Sequence, residues 1–124
     1  MILVDTSVWV DHLRHGEPRL VHALESSLVL SHPFVIGELA CGDLRDRARV
    51  LAALDSLPQS PTATHAEALA FLHRYKLYGR GIGWTDVHLL ASTALAAGSL
   101  LWTRDKRLAA VATTLDLGYR EVTR

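Results

Sequence analysis

Four acids stand in surroundings that a solvated surface carboxylate does not usually have. Asp5 follows the apolar run Ile2-Leu3-Val4 and is followed by two hydroxyls, Thr6 and Ser7. Asp105 follows a comparable run, Leu100-Leu101-Trp102, with Thr103 and Arg104 between. Glu38 lies within Phe34-Val35-Ile36-Gly37-Glu38-Leu39-Ala40-Cys41, and Asp86 follows the glycines of Gly79-x-Gly81-x-Gly83 at the start of an apolar helical stretch. Singly, each has a plain explanation: an aspartate near a helix start favours the helix dipole, and Glu38 suits a partly exposed helix edge. As a set they are more telling. Carboxylates brought close together repel, and some would hold protons near neutral pH unless a cation neutralised them. Oxygen-only ligands suit hard divalent ions such as Mg²⁺ or Mn²⁺. Such a site can turn bound water into a nucleophile and stabilise charge on a phosphodiester.

For this chemistry the acids must meet. Ile2-Leu3-Val4 and Leu100-Leu101-Trp102-Thr103 both read as short strands buried on both faces of a parallel sheet. Parallel strands share a carboxyl-end edge, where open α/β sheets place their ligands, so Asp5 and Asp105 are expected at one rim. Between them lie a helix capped by Asp5 or Thr6 and running to about His15, then one opened by Glu17 and Pro18. Further expectations are a strand at 28–30, a helix from Pro33 to Gly42, helices at 43–57 and 65–78, and the clearest helix, 86–97, capped by Thr85. A last helix spans 106 to about 115, and a short strand is expected at 119–122. Alternating strands and helices indicate an α/β sandwich around a small, mainly parallel sheet.

The 124 residues suit a single domain, 1–124, with a real core. The formal net charge of zero means that any nucleic-acid binding must use local patches. One cysteine, Cys41, excludes an intramolecular disulfide and fits a reducing compartment, the cytoplasm. No signal-peptide pattern or membrane-length apolar run is present.

Asp5-Thr6-Ser7, the 33–39 stretch, Trp84-Thr85-Asp86 leading into Leu89-Leu90-Ala91-Ser92, and Leu101-Trp102-Thr103-Arg104-Asp105 occur in order. Together they resemble a PIN-domain protein of the VapC-type toxin ribonuclease family, over essentially the whole chain. The resemblance implies a PIN-like three-layer α/β/α sandwich and a Mg²⁺- or Mn²⁺-dependent endoribonuclease of a toxin–antitoxin pair. It further implies Asp5, Glu38 and Asp86 as the acidic core and Asp105 as the fourth, more variable acid. Thr6, Ser7 and Thr103 match its supporting hydroxyls. The implied partners are RNA, a cognate VapB-like antitoxin and a second copy in a homodimer.

Basic residues gather at 45–49, at 74–80 and around Asp105. Arg104, Lys106 and Arg107 flank the acidic rim and are candidates to hold RNA phosphates, with Arg80 a further one. The histidines lack ligand spacing and read as core or surface residues, and Cys41 reads as a small buried filler. An aspartic protease fails because its fold is all-β, and an aspartyl-phosphate phosphatase fails because position 7 is Ser. The alternative is a non-catalytic signalling or binding domain of receiver-like α/β type, which would share a strand-end aspartate but not an acid like Glu38.

Overall fold

Ile2, Leu3 and Val4 carry no polar side-chain atom to desolvate, and they form the central strand of the sheet. The structure, a computed structural model, describes residues 1–121. Strand β1 (Ile2–Val4) pairs in parallel with β2 (Val29–Leu30) on one side and β3 (Leu100–Trp102) on the other. Leu3 stands opposite Leu30 and Leu101, and Val4 opposite Trp102. Single parallel bridges widen the edges, Ser31 to Gln59 and Leu101 to Gly118. Every residue of β1 and β2 is buried, as a sheet covered on both faces requires. From β1 to β2 the chain moves one way across the sheet, and from β2 to β3 it moves back past β1. Right-handed crossovers in opposite directions put the connecting helices on opposite faces. The α/β/α sandwich expected from the sequence is the one observed.

The helices are α1 (Thr6–His15), α2 (Pro18–Glu25), α3 (Pro33–Ala40), α4 (Arg47–Ser56), α5 (His65–Arg74), α6 (Trp84–Leu95) and α7 (Lys106–Thr114). Several bounds differ from expectation. Helix α4 starts at Arg47, not Asp43, because Asp46 adopts the left-handed conformation (φ 50°), which an α-helix cannot run through. Helix α5 stops at Arg74, short of Tyr78, where Lys76 is left-handed (φ 54°) and the Leu77 N–H turns back to the Leu72 carbonyl. Gly83, not Thr85, caps α6, and Ala94 and Leu95 in its last turn are exposed. In place of a strand at 119–122 there is the single bridge at Gly118, and Val122 lies outside the described residues. Among the described residues no helix is long and apolar enough to cross a membrane.

Leu3, Val4, Val8, Leu20, Leu89, Leu90 and Trp102 anchor the main core. A smaller cluster of Ala63, Ala68, Val87 and Ala91 lets α5 and α6 approach closely. His32 joins the layers. It is fully buried at the N-cap of α3, where its Nδ1 accepts from the Phe34 N–H at 3.0 Å. That bond leaves the proton on Nε2, which lies 3.1 Å from Ser92 Oγ of α6. Ser92 Oγ also accepts from the Ala63 N–H at 3.2 Å. A protonated ring could not accept at Nδ1 and would sit charged in the core. Burial, with the neighbouring His88 adding to it, pushes the His32 pKa down from 6.5 to about 4.

Unfolding therefore takes up a proton at His32 between those two values, so stability should fall as pH drops from about 6.5 to about 4. The loss should approach roughly 3 kcal/mol, with His88, also depressed by burial, adding to it. His32→Asn, which can still cap α3, should flatten the slope. Urea midpoints across this pH range would check it.

Candidate active site

The parallel pairing of β1 and β3 delivers Asp5 to the rim, its N–H held by the Trp102 carbonyl at 2.9 Å. Asp5 occupies the N-cap position of α1, yet its carboxylate caps nothing. Instead Oδ2 accepts from Ser7 Oγ at 2.8 Å and from Thr103 Oγ1 at 2.7 Å. Ser7 in turn accepts from the Arg104 N–H at 3.0 Å, and Thr103 from the Asp105 N–H at 3.1 Å. These two hydroxyls stitch the carboxyl end of β1 to that of β3. Asp5 is nearly buried, and the stitching fixes its rotamer.

The other three acids are each steadied by one local donor. Glu38 on α3 accepts from Thr6 Oγ1 at 2.8 Å, so the two hydroxyls after Asp5 serve different acids. Asp86, in the first turn of α6, accepts from the Gly83 N–H through Oδ2 at 3.1 Å. Asp105 caps α7, its Oδ1 accepting from the Leu108 N–H at 3.0 Å. Among the described residues Asp5 Oδ1, Glu38 Oε2, Asp86 Oδ1 and Asp105 Oδ2 accept no hydrogen bond, so each acid keeps one oxygen free.

Their mutual field is legible at Asp86. Burial raises its pKa above 3.8, the Gly83 bond opposes this, and Asp5, Asp105 and Glu38 push it further up. The acids expected to converge therefore do stand within electrostatic reach. They stop short of a closed cage: among the described residues no three His, Cys, Asp or Glu side chains form a group that could hold an ion as they stand. The donor set nonetheless fits a hard divalent cation, being all oxygen, negatively charged and partly free.

Arg104 corrects the expectation of a phosphate ligand. Its Nε donates to Glu121 at 2.8 Å, Nη1 to Asp11 at 2.8 Å and Nη2 to Glu17 at 2.6 Å. The guanidinium is saturated by three carboxylates, and those bonds, Glu17 foremost, hold its proton more tightly still. Arg104 in turn lowers the pKa of nearly buried Glu17. Glu121, despite its own burial, is also lowered, by Arg104 and by the Trp102 indole N–H, which it accepts at 2.8 Å. This clamp ties α1, the start of α2 and residue 121 to the end of β3. It escaped the sequence reading because its acids are scattered over the chain without periodicity; Glu17 stood out only as a helix opener. Lys106, Arg107 and Arg80 remain exposed and free of ion pairs among the described residues.

Cys41, read as a buried filler, is exposed at the end of α3. His88 lies buried beneath the rim between the Trp84 ring at 4.7 Å and the Phe34 ring at 4.8 Å, with no partner for Nδ1.

The PIN-domain family profile matches residues 2–113. Ribonuclease VapC32 of Mycobacterium tuberculosis strain CDC 1551 / Oshkosh is 52% identical over 110 residues, covering 89% of this chain and 89% of that protein. Ribonuclease VapC32 of strain ATCC 25618 / H37Rv matches with the same identity and coverage.

Two outcomes follow from the charges. Arg104→Gln should destabilise the fold by about 2–4 kcal/mol in urea unfolding, since it strands Glu17 without its partner, whereas Lys106→Ala should change it by less than about 0.5 kcal/mol. Without divalent metal, Asp86→Asn should melt above wild type at neutral pH. The cost of burying this charge, together with the repulsion, acts in full above the raised pKa of Asp86 and vanishes below its unfolded value of 3.8. The advantage of the variant should therefore shrink as pH falls through that window, which thermal melts at several pH values would show.

Proposed function

The chain belongs to the PIN-domain family, and from that premise we propose that it is a metal-dependent endoribonuclease, the toxin of a toxin–antitoxin pair. The receiver-like alternative falls with this membership. The observation that carries the catalytic reading is the placing of four acids, from β1, α3, α6 and the β3–α7 junction, so that Asp5, Asp105 and Glu38 add to the burial that raises Asp86. The identity to Ribonuclease VapC32 across most of both chains supports the choice of RNA.

Asp5, Glu38, Asp86 and Asp105 would hold the ion, Mg²⁺ or Mn²⁺, through their free oxygens. A divalent ion bound there supplies a water of lowered pKa and a positive charge beside the phosphodiester. The protein's own part is orientation. Ser7 and Thr103 hold Asp5, Thr6 holds Glu38, and the Gly83 N–H holds Asp86, so three acids enter the reaction already positioned. Lys106, Arg107 and Arg80 are the cations offered to RNA phosphates; Arg104 is not among them.

The proposed antitoxin would act at the rim. A groove of about 490 Å³ opens beside Thr6 and Glu38, with Val10, Leu13, Leu39 and Leu44 among its lining residues. Its apolar wall suits an amphipathic segment, and an arginine from that segment could bridge the free carboxylate oxygens in place of metal. Among the apolar residues of α1 and α2, Val8 and Trp9 belong to the core, while Leu13 and Val21 are exposed. A homodimer is part of the same proposal.

Asp5→Asn keeps the size and removes the charge. It should fold like wild type and cut RNA at least a hundredfold more slowly, roughly the contribution of one well-placed catalytic group. Wild-type activity should vanish in EDTA and return with Mg²⁺ or Mn²⁺. In cells, wild type expressed alone should arrest growth, and Asp5→Asn should not. Full activity in EDTA, or harmless overexpression of soluble wild type, would refute the reading.

A further inference from the structure

Of three tryptophans, Trp9 is 5% exposed and Trp102 is 0% exposed, but Trp84 is 38% exposed. It is the first residue of α6 and directly follows Gly83, whose N–H holds Asp86. His65 and His88 brace it at centroid distances of 5.3 Å and 4.7 Å, the latter edge-on at 88°. The indole is held in place yet open to solvent.

The loop before it is built to seat a cation. Gly81 is left-handed (φ +78°), and a Cβ there would stand 2.7 Å from Arg107 Cδ and 3.1 Å from its Nη1. Without a Cβ, Gly81 leaves room for the Arg107 side chain against the loop backbone. Arg107 reaches it from the first turn of α7, two residues after Asp105. A braced indole and a seated, unpaired guanidinium thus flank the same loop, whose Gly83 N–H holds Asp86.

We infer that Trp84, the 79–83 loop and Arg107 form a nucleotide subsite in which one unpaired base of the RNA stacks on Trp84 and its phosphate meets Arg107. This rests on the ribonuclease reading above. Base faces are hidden inside an A-form duplex, so such a subsite selects single-stranded or splayed-out nucleotides. Stacking on an aromatic ring tolerates any base, while the guanidinium contributes the salt-sensitive share of binding. The subsite therefore favours unpaired RNA at the cut without dictating its sequence.

Full-length Asp5→Asn protein, titrated with a single-stranded RNA oligomer, should lose tryptophan emission, because Trp84 is the exposed indole. An oligomer of equal length without bases should leave the emission unchanged and bind more weakly. Trp84→Ala should weaken binding of the base-bearing oligomer roughly tenfold to a hundredfold, with Trp84→Phe in between. In otherwise wild-type protein, Trp84→Ala should raise KM far more than it lowers kcat. Trp84→Leu keeps apolar cover over His88 and should show the same binding loss with an unchanged melt. Arg107→Ala should weaken both oligomers alike and make the log–log salt dependence shallower by roughly 0.7. Equal binding of the two oligomers, or unaltered KM in Trp84→Ala and Trp84→Leu, would overturn the subsite while wild type still cuts RNA. A wild type that cuts no RNA with Mg²⁺ or Mn²⁺ would overturn the enzymatic reading itself.

Discussion

Repulsion among like charges is the constraint around which this molecule is arranged. Asp5, Glu38, Asp86 and Asp105 would separate if the backbone let them, and their repulsion adds to the burial that raises the Asp86 pKa. What holds them is an uncharged scaffold: parallel pairing of β1 with β3, and hydroxyls or backbone N–H groups that steady each carboxylate. None of these donors is a cation. A lysine or arginine bound to Asp5 would have relieved the repulsion and also removed the site's attraction for a metal. Neutral donors fix the geometry and leave the negative field in place.

Where a cation is used structurally, it is kept apart. Arg104 follows Thr103 in sequence, but its guanidinium serves Asp11, Glu17 and Glu121, while only its backbone N–H serves Ser7. One residue thus acts on the rim through its amide and on the clamp through its side chain. The structural cation is confined to the clamp and kept off the rim.

Much of this was legible in the sequence. Short apolar runs ending in an acid placed Asp5 and Asp105 at strand ends, and a glutamate among apolar helix neighbours marked Glu38. Asp86 was legible as the acid of a glycine-led helix start. Less legible were features that depend on contacts between distant residues. Arg104 beside an acid looks like a phosphate ligand until residues 11, 17 and 121 fold around it. His32 has no ligand spacing, and its burial as a neutral cap depends on Ser92, sixty positions away. The late start of α4 turns on one left-handed residue, Asp46, that periodicity does not report.

The sheet order carries a consequence for synthesis. The central strand is made before either of its neighbours, and β3 waits until residues 100–102. Thr103, which steadies Asp5, and Asp105, which completes the acids, are made later still. Pairing of such distant segments is slow and cannot begin before both exist. A chain translated only as far as β2 therefore has no assembled rim. The acidic rim can form only after residues 100–105 have been made, because β1 and β3 share one edge.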